Sequence, residues 1–576
     1  MNFGTDRKNC SNMKRFSVLL VFILAAFPAV AQTDTNAVVA PVETNAPALQ
    51  ADANPVVSQT ATNPAAAQTD TTVTNVPAPP LDTQAAAAPA GMNVKLHEMS
   101  LEDCFQEALQ HNLDLQIERT TPQISLYNLR STYGGYDPVL SLSGQHNYSK
   151  QGAIIQDSVI VLPTTSDENS FSAGFSGGTP WGMTYNFGNG SQNGPGSIGE
   201  TWGQKSLGTN TASFDSSSGS AGLSLTQPLL KNFWIDSTRL NIRLAKNQLK
   251  TDEQGLRLQL NKSVTDVENA YYELIYAQAN VKVQQEALGL AQTQLDQDRQ
   301  RVQIGTLAQL DVQQDEAQVA TSRANLITAQ YTLATAQNTL KNLLTDTYTR
   351  WHDTDIQPTG TITNAPLQLF DLQDSWSKGM TQRPDLLQAR LAMERQGIQL
   401  KFDRNQLFPE LDLFGSYGFN GAGREYSDVF SQINEGNRPF YTYGGQLSMP
   451  LSNLGPRNTY KASKLTLQQM LLKLKQYEQN VMVEIDNAVK NAQSTYESVG
   501  ATRQARIYAE AALDAEQKKY AVGKSTTFTV LQLQNTLTAD RGQEIRALAN
   551  YYEALANLAL QEGSTLERNH INIEVK

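Results

Sequence analysis

The residues able to do chemistry are few and scattered. The five histidines, His97, His111, His146, His352 and His570, stand singly along the 576-residue chain. None is placed at HExxH spacing or beside a cysteine partner, so no metal site is expected. Of the two cysteines, Cys10 falls in a segment expected to be removed, which leaves Cys104 alone and no internal disulfide. Gly188-Asn189-Gly190 follows a strand-like run but opens no helix, so it reads as a loop and not as a phosphate cradle. The carboxylates offer more. Asp296 and Asp298 fit a ring of charge around a lumen or, more simply, a solvated helix face. Asp311 precedes Asp315 by one helical turn and suits charge compensation at a helix N-terminus. No nucleophile, base and oxyanion donor come together in this pattern, so neither catalysis nor a cofactor is expected. A net charge of −11 and a pI near 5.1 leave no basic footprint for nucleic acid.

A very long helix must position those carboxylates. Val267, Leu274, Val281, Leu288, Leu295 and Val302 fall at an unbroken spacing of seven, which keeps one side of a helix against a partner. The neighbouring register, Val264, Tyr271, Gln278, Gln285, Gln292 and Arg299, turns polar along its length. One dry seam beside one wet seam suits the wall of a water-filled tube. The stretch recurs 218 residues on, where Val267-Glu268-Asn269-Ala270 matches Ile485-Asp486-Asn487-Ala488 and Ile304-Gly305 matches Val522-Gly523. The chain is therefore a duplication. With 8% aromatic and 40% hydrophobic residues, such helices bury too little surface alone, and lateral assembly is expected.

In chain order, residues 1–31 read as a secretory signal: Lys14 and Arg15, an apolar run over 16–27, and Ala29-Val30-Ala31 before Gln32. Met13 is an alternative start. Residues 32–92, rich in Ala, Pro and Thr, read as a disordered leader. The first repeat spans 93–344, with a helix from Ser100 to about Tyr133, strands over 138–228, a long helix over 236–303 and a return helix over 306–344. Residues 345–370 are expected to be irregular. The second repeat spans 371–562, with a hairpin over 409–450, a long helix over 456–521 and a return helix over 525–560. A polar tail follows over 563–576. Pro138, Pro228, Pro409 and Pro450 mark the turns between strands and helices.

The order of helix, proline, strand pair, proline, long helix, Val/Ile-Gly turn and return helix, twice over, resembles the TolC-type outer membrane efflux proteins. The likeness covers about residues 95–562. Its most specific points are Leu407-Phe408-Pro409-Glu410-Leu411, Ser448-Met449-Pro450-Leu451, and the Gly305 and Gly523 turns with Asp311-Val312 after the first. The resemblance implies an α+β membrane protein: a periplasmic α-helical tunnel joined to a transmembrane β-barrel completed by trimerisation. It implies an outer-membrane location in a Gram-negative cell and contact with outer-membrane lipid. It also implies docking on a periplasmic adaptor and on an inner-membrane transporter, either a proton-driven RND pump or an ATP-driven ABC exporter. It further implies a periplasmic constriction near Gly305, Asp311, Asp315, Gly523, Thr529 and Gln532. The family places acids after the second glycine turn; here Thr529 and Gln532 stand in their place, which puts the usual charged ring in question.

The trimer also follows from closure. Four recognisable strands cannot close a barrel, and open edges cannot sit in lipid, whereas three copies give twelve. The halves are unequal, because Pro138 to Pro228 is 90 residues and Pro409 to Pro450 is 41, so the first carries 49 more. Phe171, Ala173 and Phe175 alternate with small residues, as do Met183, Tyr185 and Phe187, around Gly178-Thr179-Pro180-Trp181-Gly182. The insert is therefore a long loop or, on the sharper reading, two further strands per chain and eighteen in the trimer. Passive efflux is the expected function, with the duct of a type I protein secretion system as the alternative. An extracellular coiled-coil stalk or adhesin would explain the heptads but not the paired strands bounded by prolines.

Overall fold

A computed structural model describes residues 95–571 except 153, 157–158, 162–163, 189–196, 208–209, 363, 367 and 369. The expected signal and leader lie outside the described residues. The strict heptad produces α3 (Ser237–Gln303), 67 residues long and therefore about 100 Å, and its repeat produces α9 (Leu454–Ala521). Each long helix ends the same way. Gly305 and Gly523 adopt φ of 77° and 72°. The following amides, of Thr306 and Lys524, each reach back 2.9 Å to a helix carbonyl, of Arg301 and Lys519. This left-handed cap favours glycine for its φ alone, since a Cβ at either position would meet nothing. The return helices are α4 (Gln309–Leu344) and α10 (Thr527–Glu562), both 36 residues long.

The apolar seam is buried at Val267, Leu274 and Leu295 and half-buried at Val281, Leu288 and Val302. Val267 and Leu274 are fully buried against Leu340 and Leu344, with Phe105 and Ile356 in the same core. In the second register Val264 and Tyr271 are buried, while Gln285, Gln292 and Arg299 are exposed. Further down, the second buried line is Ala270, Ala277, Ala291 and finally Asp298, small residues that admit neighbouring helices closely. Ion pairs tie α10 to its neighbours, with Arg541 to Glu510 at 2.8 Å and to Glu286 at 3.2 Å, and Arg546 to Glu273. These pairs are partly exposed and worth up to about 1 kcal/mol each, so cohesion rests on the apolar seam.

Three segments depart from expectation. The helix after Ser100 is two helices, α1 (Leu101–His111) and α2 (Leu113–Thr132). Asn112 divides them: its side chain caps Leu115 N–H at 3.1 Å and donates to the Leu343 carbonyl at 2.9 Å. The second half repeats the break at Arg383, between α6 (Leu372–Gln382) and α7 (Pro384–Asn405). The inter-repeat segment is not irregular throughout, for it holds α5 (Tyr348–Trp351) and β9 (Thr354–Pro358), the latter pairing in parallel with β1 (Lys95–Met99). The start of the polar tail is also ordered, as α11 (Thr565–Arg568), where Arg568 meets buried Glu268 at 3.3 Å.

The remaining strands form one sheet and a small hairpin. Among the described residues, β3 (Ile154–Gln156) and β4 (Val159–Val161) pair only with each other. The sheet runs β11 (Pro439–Ser448), β10 (Glu410–Gly423), β8 (Asn210–Pro228), then β6 (Thr184–Phe187), β5 (Thr164–Gly178) and β2 (Val139–Gln151). β7 (Ser197–Leu207) also lies between β5 and β8, so β6 and β7 share one position at successive levels. The sheet therefore has six strand positions, four from the longer first half and two from the second. Among the described residues nothing pairs with the outer edges of β2 and β11.

The continuous antiparallel register sorts the side chains by face. One face carries Leu140, Leu142, Phe171, Phe175, Phe187, Leu223, Leu225, Leu413, Tyr417, Tyr441, Tyr443 and Leu447, all exposed in the single chain. The other carries Ser141, Ser143, Ser172, Ser176, Thr184, Ser224, Ser416 and Thr442. On that face the rings of Phe414 and Phe440 lie over Gly444 and Gly418, and that of Phe214 over Gly203. An apolar outside and a small polar inside are the two surfaces of a lipid-embedded barrel wall. Cysteines replacing Phe175 and Tyr185 are expected to resist a water-soluble maleimide in intact cells, whereas one replacing Ser176 should react. Rapid reaction at Phe175→Cys and Tyr185→Cys would put that face in water.

Candidate functional site at the helix-turn tip

One helix length from the sheet, the ends of α3, α4, α9 and α10 meet around a buried polar cluster. Asp298, on α3, is fully buried. Its Oδ2 accepts from Gln294 Nε2 at 2.7 Å and from the Tyr520 hydroxyl at 2.8 Å. Tyr520, on α9, also pairs with the Thr527 hydroxyl of α10 at 2.9 Å. Arg301 lies 3.5 Å from Asp298 Oδ1, with its guanidinium carbon 4.5 Å from the centre of the Tyr520 ring. From α4, Asp315 completes the group, and it too is fully buried. Neither oxygen of Asp315 finds a donor among the described residues. Two ionised carboxyls can only repel. Burial first, then the charge of Asp298, raise the Asp315 carboxyl to about 7, and once protonated it donates to Asp298. Burial likewise pushes the Tyr520 hydroxyl upward, so it stays a donor.

The expected tip residues divide. Gly305 and Gly523 form the turns, and Asp315 joins the buried cluster. Asp311 is half-buried in the first turn of α4, where it is the only acid; the cap residue, Ala308, offers no side-chain bond, so Asp311 is placed to offset the helix N-terminus. Thr529 serves the cap of α10, its hydroxyl 2.9 Å from that of Thr526. Gln532 is exposed. The acid pair splits, with Asp296 exposed and Asp298 buried. Pro138 and Pro409 immediately precede β2 and β10, Pro228 ends β8, and Pro450 follows β11. Sequence reasoning missed Tyr520, Thr527 and Gln294. The available signal was the break in repeat symmetry, since Tyr520 stands where the first half has Val302. No group of three or more His, Cys, Asp or Glu residues suited to a metal occurs among the described residues. Cys104 is buried, its thiol pushed up to about 12 by burial, which makes it inert.

Duplicated helices about 100 Å long, leading from a buried tip to a sheet with one lipid-facing surface, define a subunit of an outer-membrane channel. The description "outer membrane efflux protein" fits residues 196–345 and 377–564, and the chain belongs to that family. It is 26% identical over 363 residues to outer membrane protein TolC of Escherichia coli, covering 62% of this chain and 71% of that one. It is 25% identical over 332 residues to outer membrane efflux protein BepC of Brucella suis, covering 56% and 67%. Among solved structures, the outer-membrane channel OprN superposes with a TM-score of 0.60 at 16% identity, covering 81% of this chain and 90% of that one. The fold is that of a helical tunnel joined to a β-barrel, and the protein resides in the outer membrane.

The raised Asp315 carboxyl sets a direction for the tip. Its contribution is intact below the ordinary carboxylate range and is lost as pH rises through about 7. Hydrogen-exchange protection of the two glycine turns should therefore fall between about pH 5 and about pH 8. Asp315→Asn, which keeps a neutral donor, should flatten that dependence. Equal protection at both pH values, or an unchanged slope in Asp315→Asn, would contradict the assignment.

Proposed function

We propose that three copies of this chain form the exit duct of a tripartite export system, carrying small molecules passively from a periplasmic adaptor and inner-membrane pump to the exterior. The observation that carries the reading is the open six-position sheet with an apolar face, joined to paired long helices in a chain of the efflux family. Three such sheets give eighteen strands, a size at which a barrel encloses an aqueous channel. Selection then belongs to the transporter, and this chain supplies the wall. A barrel of eighteen strands also fits the second reading, a duct for secreted proteins docked on an ATP-driven exporter.

The constriction lies at the Gly305 and Gly523 turns, with Asp311, Thr529 and Gln532 near the opening and Asp315 holding the helices behind it. Thr529 and Gln532 present no carboxylate, so hard cations find little to bind there. Purified protein in a planar bilayer should conduct, with weak block by divalent or trivalent cations added from the periplasmic side. Thr529→Asp with Gln532→Asp should create strong block. An absence of channels would sink the duct itself. Strong block in the unmodified protein, unaffected by Asp311→Asn with Asp315→Asn, would sink the account of the constriction.

A further inference from the structure

The helix α8 (Tyr426–Glu435) lies between β10 and β11, at the end of the sheet opposite the tunnel helices and therefore on the cell exterior. It does not project as a loop. A Cβ on Gly421 would collide with Val429, and one on Gly423 with Asp428, so α8 lies against the face toward which these glycines point. The register puts Gly421 on the same face as Leu413 and Tyr417, which is the apolar face. Val429 is fully buried there, and the Tyr426 ring packs edge-on to Phe171, 6.3 Å between centroids. Gln432 bonds both the carbonyl and the amide of Ala422, at 2.8 and 3.2 Å, satisfying β10 past the end of β11.

The level is as informative as the face. Along β10 the apolar face reads Leu411, Leu413, Gly415, Tyr417 and Phe419, then Gly421 and Gly423. On β5 it reads Phe175, Ala173 and Phe171, then Asn169. The helix thus sits at the row where the lipid-facing band gives way to polar residues. Val429 faces the sheet, Phe430 beside it is 56% exposed, and Ser427, Ser431 and Glu435 fall on the side away from the sheet. An amphipathic helix at that level has one solvent that suits an exposed phenylalanine, the acyl chains at the outer boundary of the bilayer.

We infer that α8 is an interfacial helix on the outer wall of the barrel, with Phe430 inserted among outer-leaflet acyl chains and the Ser431 side facing water. The contact continues the lipid-facing band upward. The helix packs on β10, β8 and β7, with Tyr426 reaching Phe171 of β5, all within its own sheet, so its exposed side is offered to lipid and not to a second copy.

The test uses the full-length protein in phosphatidylethanolamine–phosphatidylglycerol vesicles, with a nitroxide attached at Phe430→Cys, Ser431→Cys or, as a control on the barrel wall, Tyr441→Cys. Collision with oxygen, which concentrates in hydrocarbon, is compared with collision with a water-soluble nickel chelate. Oxygen-dominated relaxation at Phe430→Cys and Tyr441→Cys, with a ratio several-fold above that at Ser431→Cys, supports the inference. Nickel access at Phe430→Cys with oxygen access at Tyr441→Cys would overturn it and leave the barrel intact. Nickel access at both would overturn the wall assignment as well. Access to neither at Phe430→Cys would assign the contact to a second copy and overturn the lipid contact.

Discussion

An open sheet edge has no place in hydrocarbon, and that constraint governs this molecule. β11 alone is ten residues long and leaves about half its backbone donors and acceptors pointing outward. At several kcal/mol for each unsatisfied group in lipid, such an edge costs tens of kcal/mol, against a net stability of roughly 5–15 kcal/mol for a folded domain. No rearrangement within one chain recovers that deficit, because the six strand positions are already paired in a continuous register. On the proposed reading, other copies of the chain close these edges. The helices follow suit, since the exposed Gln285 and Gln292 line suits a wet surface and the seam through Val267, Leu274 and Leu295 a dry one.

The tip answers a different constraint. Four helix ends converge where a wholly apolar core would leave little to undo. The chain instead buries Asp298, Asp315, Tyr520 and Thr527, one or more from each helix. Such a cluster holds firmly while its proton count is right and weakens when it changes. With the Asp315 carboxyl raised to about 7 by burial and by the charge of Asp298, the packing of the four helix ends becomes sensitive to pH near neutrality.

What could be read from the sequence was whatever rests on local chemistry. The heptad of valines and leucines, the glycines that end both long helices and the prolines bounding the strands each act through their immediate neighbours. Elements that depend on distant partners were hidden. β9 exists because β1, more than two hundred residues earlier, lies beside it. Asn112 ends one helix and begins the next partly by reaching Leu343. The alanine line from Ala270 to Ala291 carries no apolar signal strong enough to mark a second buried seam. At the tip, Asp315 was legible as a candidate, but its partners come from three other helices, and only the break in repeat symmetry at Tyr520 hinted at them. Thr529 and Gln532 were legible as departures from the family pattern, and Thr529 proves to be occupied with a helix cap.

Edge closure by identical copies is the claim on which the channel depends, and the mass of the native assembly in mild detergent tests it most directly. The expected result is a single species of three chains that needs detergent to stay in solution. A stable monomer, or a water-soluble product without detergent, would contradict the account.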